Sequence, residues 1–232
     1  NTLPVTMQDM LHHCRAVARG ASRAHLVGDM PFMSYQVSAA EAVRNAGSFL
    51  QQGGMDAVKL EGGRERIDAI KAIVSAGIPV MGHLGLTPQS VHLLSGWRIQ
   101  GKTIQDARRL VEDARLLEVA GCYTLVLEAI PAQVAALIAR RLAIPVIGIG
   151  AGARCDGQVL VTHDLLGLFD RFTPSFVKKY ADLYAETVRA VREYAAEVAE
   201  RRFPGPEHGS LMEPDEFQAL VDELAESDRS GA

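Results

Sequence analysis

Seven ionisable side chains sit at equivalent places along the sequence. Asp29 closes a short apolar run, Lys59 and Glu61 close a second, His83 follows a third, Glu128 closes a fourth, and His163 and Asp164 follow the last. Lys59 and Glu61 are two apart, which puts them on one face of an extended strand. Asp29 and Glu61 are hard oxygen donors with no Cys or His cluster beside them, so they suit Mg²⁺, which binds through one or two carboxylates and leaves positions for substrate oxygens. A structural ion pair with Lys59 is the competing reading for both acids. Lys59 can hold a substrate carboxylate or enolate oxygen, or simply neutralise the acids. Glu128, in Leu127-Glu128-Ala129-Ile130-Pro131, stands between an apolar strand and an apolar helix start. Burial there would raise its pKa and suit it to proton transfer, whereas a carboxylate answering a helix dipole is the plainer reading. His83 can polarise a bound substrate oxygen or be an ordinary buried histidine.

These residues need elements that bring them together. Apolar runs at His25–Asp29, Ala57–Leu60, Ile78–Met81, Tyr123–Leu127, Ile144–Ile149 and Gln158–Val161 are short and β-branched, as in parallel strands covered by helices. Helix patterns lie between them. Ala107, Leu110, Val111, Ala114 and Leu117 share a helical face behind a Thr103-x-x-Asp106 cap, and Val134, Leu137 and Ile138 share another behind Pro131. Gly77 and Gly121 are placed as left-handed helix ends feeding a strand, and Pro79 and Pro145 as strand starts. Repeated strand–helix units of regular spacing, without a G-x-G-x-x-G turn, predict an α/β fold of the (β/α)-barrel type. In such a barrel all C-terminal strand ends open on one mouth. Charges gathered there need a reason, because burying unpaired charge is costly.

Other features carry less. Gly148-Ile149-Gly150-Ala151-Gly152 lacks the Gly-Lys-Ser/Thr of a phosphate loop and reads as a tight turn off a strand. His12-His13 reads as a surface pair on a helix, and Cys122 and Cys155 have no neighbour that would activate a thiol. A long charged helical stretch spans 174–201. Residues 207–232 hold eight acids and one base, so this tail carries −7 and the remainder +3 of the net −4. Phe217, Leu220, Val221 and Leu224 recur at helical spacing, giving a short amphipathic helix that reads as a loosely packed terminus.

The 232 residues, 48% apolar and 22% charged, suffice for a sizeable core. Near-neutral charge argues against nucleic-acid and membrane-surface partners. No apolar run approaches the roughly 20 residues needed to cross a bilayer. Three scattered cysteines without C-x-x-C fit a reducing, cytoplasmic setting.

Four strings carry a resemblance: Gly28-Asp29-Met30-Pro31-Phe32-Met33-Ser34-Tyr35, Val58-Lys59-Leu60-Glu61-Gly62-Gly63, Gly82 through Ser90 (GHLGLTPQS), and Ile147 through Gly152 followed by Asp156 through Val161. In this order and spacing the sequence, from Thr2 to about Pro204, resembles the ketopantoate hydroxymethyltransferase family. The resemblance implies a (β/α)₈ barrel of the phosphoenolpyruvate/pyruvate superfamily over residues 1–204, with 205–232 as an acidic tail outside it. It implies transfer of a one-carbon unit from 5,10-methylenetetrahydrofolate to 3-methyl-2-oxobutanoate, toward pantothenate and coenzyme A. It makes Asp29 and Glu61 Mg²⁺ ligands, Asp29 and Lys59 oxo-acid contacts, and Glu128 the proton acceptor. Mg²⁺ on the oxo acid would lower the cost of an enolate at C3. The family also suggests a homo-oligomer, a decamer of two rings. A lyase or mutase of the same superfamily and an inactive assembly subunit are the alternatives.

One departure stands out. The family's N-terminal segment holds two further strands, the second ending in Gly-Asp-Ser, whose Asp is another metal ligand. No such motif occurs in this sequence. Six strands where eight close a barrel lead to the expectation of roughly fifty more residues upstream.

Overall fold

The computed structural model describes residues 2–93, 96 and 98–230, leaving out the side chains of 228 and 230; residues 1, 94, 95 and 97 of the expected barrel segment and 231 and 232 of the tail lie outside the described residues. The chain divides into two compact units. The first runs to Val161 and takes in Pro174–Val177; the second comprises Thr162–Thr173 and everything from Lys178 onward.

The first unit alternates helix and strand: α1 (Met7–Gly20), β1 (Val27–Asp29), α2 (Ala39–Gln51), β2 (Ala57–Glu61), α3 (Ile67–Ser75), β3 (Val80–Gly85), α4 (Ile104–Val119), β4 (Thr124–Glu128), α5 (Ala132–Ala139), β5 (Val146–Ile149) and β6 (Gly157–Gln158). The strands form one six-stranded sheet in the order β1-β2-β3-β4-β5-β6. Every neighbouring pair is parallel. This is the sequential order of a barrel wall, and the sheet curls as a half-barrel. At its lower rim His25 Nε2, just before β1, lies 2.9 Å from the Tyr123 hydroxyl, just before β4. Those entries are three strands apart, roughly 14 Å on a flat sheet, so the contact fits a curled one.

Alternation along each strand divides its residues between two faces. Val58, Leu60, Val80, Leu84, Leu125, Leu127 and Val146 join the continuous core with Phe49, Ile70, Ile73, Leu117 and Ile138 of the helices. Lys59, Glu61 and His83 occupy the other face. Helix starts match their sequence signals. Thr6 and Asp9 form a reciprocal capping box on α1, and the Thr103 hydroxyl accepts the Asp106 N–H at the start of α4. Gly77 and Gly121 adopt positive φ after α3 and α4. Pro79 and Pro145 stand one residue before β3 and β5, and their carbonyls accept the N–H groups of Val58 and Leu125. Each proline thus lacks a donor where none is needed.

Several boundaries differ from expectation. β3 continues to Gly85, so His83 lies inside the strand and not beyond it. Gly82 and Gly85 look like breakers in the sequence, yet the register Gly82↔Leu125 through Gly85↔Glu128 carries pairing across both. β6 is shorter than 158–161, and Val159 and Val161 are 44% and 54% exposed. His163 and Asp164 therefore do not follow a strand end. They belong to α6 (Thr162–Leu165) of the second unit.

That second unit also holds α7 (Leu183–Ala199) and α8 (Pro214–Ser230). α7 covers only part of the helical stretch 174–201, with Asp182 capping its start. α8 is the amphipathic helix of the acidic tail. Phe217, Leu220, Val221 and Leu224 remain 41–57% exposed on it.

Candidate active site

The upper ends of β1 to β4 bring together all five residues expected to do chemistry there. Asp29 pairs in register with Lys59, and Glu61 with His83; Glu128 ends β4 opposite Gly85. Lys59 Nζ lies 2.7 Å from Asp29 Oδ1 and 4.0 Å from Glu61 Oε1. It is also 3.4 Å from His83 Nδ1. His83 Nε2 stands 3.2 Å from Glu128 Oε2. The side chains of Glu61 and His83 are almost wholly enclosed, those of Glu128 and Lys59 mostly so, and Asp29 is about half open.

Burial decides the protonation states. It pushes the Glu61 carboxyl up to about 7, with the attraction of Lys59 and the Gln89 N–H only partly offsetting it. Glu128 is likewise pushed up to about 7 by burial. Burial and then the charge of Lys59 push His83 down to about 3, so its ring is neutral. For Lys59, burial favours the neutral amine, but Asp29 and Glu61 outweigh it and hold the ammonium above its ordinary value. The cluster is thus one firm cation, one neutral imidazole and two buried carboxyls that titrate near neutrality. With Nδ1 facing the ammonium, the imidazole proton belongs on Nε2, which is buried near Glu128 without forming a hydrogen bond.

A second layer holds Glu61. Its Oε2 accepts the Gln89 N–H at 2.9 Å, and its own N–H donates to the Tyr35 hydroxyl at 3.2 Å. Tyr35 donates in turn to Gln89 Oε1 at 2.6 Å, and Gln89 Nε2 donates to the Met30 carbonyl at 2.8 Å. Nothing in the residue types of Tyr35 and Gln89 marks them in the sequence. The one signal is their place in the same strings as Asp29 and His83.

The chain around Glu128 is sharply turned. Ala129 has φ +47°, in the left-handed region that non-glycine residues rarely enter. The Glu128 carbonyl accepts the Leu86 N–H at 2.8 Å, and the Ala129 N–H donates to Ile149 at 2.9 Å. The Gly148–Gly152 segment is the end of β5 and a turn, as expected. His12 and His13 are an exposed pair on α1.

Among the described residues no group of three or more His, Cys, Asp and Glu is arranged to hold a metal ion. Of the three carboxyls at this mouth, Asp29 and Glu61 flank Lys59 and Glu128 faces His83. Asp29 Oδ1 is buried and has the Lys59 ammonium 2.7 Å away as its ion-pair partner. Glu61 spends Oε2 on Gln89 and turns Oε1 toward Lys59. Two hard carboxylates that share a single ammonium as counter-charge fit a cation that keeps most of its shell for water and substrate oxygens.

The sequence model for ketopantoate hydroxymethyltransferase matches residues 1–206. The chain belongs to the ketopantoate hydroxymethyltransferase family. Among its relatives, a 3-methyl-2-oxobutanoate hydroxymethyltransferase of Oleidesulfovibrio alaskensis is 56% identical over 228 residues, covering 98% of this chain and 79% of that protein. One from Syntrophobacter fumaroxidans is 59% identical, covering 90% of this chain and 74% of its own. This family member is therefore an enzyme, a one-carbon transferase. The fold has a distant likeness as well. The crystal structure of 2,3-dimethylmalate lyase, a PEP mutase/isocitrate lyase superfamily member, aligns with all of this chain and 78% of its own at a TM-score of 0.50 and 15% identity. At that identity the likeness speaks for the fold alone.

Proposed function

We propose that this enzyme transfers a hydroxymethyl group from 5,10-methylenetetrahydrofolate to 3-methyl-2-oxobutanoate, giving 2-dehydropantoate on the way to pantothenate. The observation that carries this is the identity of more than half of the residues with relatives named for that activity. The chemistry of the β1–β4 mouth supports it. A 2-oxo acid presents a carboxylate and a ketone oxygen, and its C3 proton must leave before C3 can attack a one-carbon unit.

In this reading Asp29 and Glu61 hold Mg²⁺, and Asp29, Lys59 and His83 face the oxo acid. The ion, when bound, supplies Lewis acidity that draws electron density from the ketone and acidifies C3–H. Lys59 sets a fixed positive charge beside the oxygen on which negative charge develops. Glu128 accepts the C3 proton. Its pKa of about 7 suits a general base working near neutrality. The neutral His83 stands beside Glu128, its Nε2 3.2 Å from Oε2, and adds no charge that would pull the carboxyl back down. Water opens the two C–N bonds of the folate methylene, its hydrogens going to the two nitrogens as tetrahydrofolate leaves; C3 forms its bond to the released one-carbon unit, whose oxygen, from water, takes the proton that Glu128 accepted and becomes the hydroxyl. The same reading takes residues 1–204, with their six strands, as a domain of the (β/α)₈-barrel type and 205–232 as an appended tail. It places the enzyme in the cytoplasm as a homo-oligomer, a decamer of two rings. No helix among the described residues is long and apolar enough to cross a membrane.

The test is product formation. With both substrates and Mg²⁺, mass spectrometry should show 2-dehydropantoate, and chelation should abolish it. Consumption of a 2-oxo acid without folate would favour a lyase or mutase instead.

A further inference from the structure

We propose that Tyr35 and Gln89 are positioning residues for the Glu61 carboxylate, locking it so that Oε1 alone is offered to a divalent cation. The inference rests on the reading of Glu61 as a magnesium ligand. A metal ligand must be fixed both along its backbone and about its last torsion, and here separate contacts do each. At the backbone, β1 has ended at Asp29, and the Tyr35 hydroxyl takes the Glu61 N–H in its place. At the carboxylate, the Gln89 N–H takes Oε2 and leaves Oε1.

Gln89 is itself fixed. Its side chain bridges the Tyr35 hydroxyl and the Met30 carbonyl, so its backbone N–H cannot drift away from Glu61. Tyr35, Gln89 and Glu61 are all buried. A closed circuit of hydrogen bonds thus joins the loop after β1, the end of β2 and the short turn at Pro88–Ser90. Such a circuit has more hold on a carboxylate than any one bond, since each member orients the next. Outer-shell partners of metal ligands typically change metal affinity or activity by about 10–100-fold.

The experiment is calorimetric titration of Mg²⁺ into chelator-treated protein, comparing wild type with Tyr35→Phe, Gln89→Met and the double variant. Tyr35→Phe deletes one oxygen, so the test survives if Gln89→Met does not fold. The thermal midpoint in chelator is measured alongside. The inference expects each single variant to bind Mg²⁺ about tenfold or more weakly. Midpoints in chelator should fall by only a few degrees, as the loss of one buried hydrogen bond entails, and the double variant should bind no worse than the poorer single, because one circuit is broken either way. Variants that bind Mg²⁺ within about twofold of a binding-competent wild type overturn this inference and leave the metal reading intact. Affinity lost only in step with the chelator midpoint overturns it as well, since that is general unfolding. A wild type that binds no Mg²⁺ overturns both.

Discussion

Glu128 carries the sharpest expectation at the scale of single residues. It combines a carboxyl pushed up to about 7 by burial, a neutral imidazole 3.2 Å away and a place in the field of Lys59 and Asp29. Glu128→Gln keeps the shape and removes the acceptor, so kcat should fall about 10²–10⁴-fold while Mg²⁺ still binds; steady-state kinetics and titration check the two halves. The raised carboxyls also tie stability to pH. A carboxyl at about 7 in the folded protein, against 4.5 ordinarily, keeps its proton after the unfolded chain has lost it. Its favourable contribution is full below about pH 4.5 and is lost as pH rises toward 7. In chelator, thermal midpoints should fall across that window more steeply in wild type than in Glu128→Gln. Mg²⁺ competes with a proton at Glu61, so the stabilisation it confers should be larger at pH 8 than at pH 6.

Among the elements, the β3–β4 junction sets where Glu128 sits. Gly85 has φ +99°, and a Cβ there would run into the Glu128 carbonyl and approach Ile130 Cγ2 to 2.7 Å. Gly85→Ala should therefore cost at least about 1–2 kcal/mol from handedness alone, and it should lower kcat by displacing Glu128. Denaturant titration and kinetics read both effects. This junction also marks the limit of what sequence reading reaches. The first five strands were legible because their apolar runs need cover on both faces, and Asp29, Lys59, Glu61, His83 and Glu128 because charge at apolar strand ends is conspicuous; the sixth was not, for Val159 and Val161 lie exposed beyond Gly157–Gln158. The continuation of β3 through two glycines was not, since pairing with β4 overrides their weak local preference. Nor was the Tyr35–Gln89 circuit, whose members are uncharged and join positions 26 to 59 residues apart. His163 and Asp164 misled for the opposite reason: they follow an apolar run that pairs only at Gly157–Gln158.

For the whole molecule, the two units carry different expectations. The first holds the continuous core and the five-residue mouth. In the second, α8 leaves its apolar side chains substantially exposed, as in termini that tolerate removal. A chain ending before residue 207 should keep Mg²⁺-dependent turnover within about twofold of the full chain. The central claim is that the β1–β4 mouth activates the C3–H bond of a 2-oxo acid, and proton NMR in D₂O follows that bond directly. With Mg²⁺ present, the C3 proton of 3-methyl-2-oxobutanoate should exchange for deuterium at a rate set by enzyme concentration, and exchange should stop with chelator or Glu128→Gln. An enzyme that forms 2-dehydropantoate normally with Gln at position 128, or in chelator, would contradict the account.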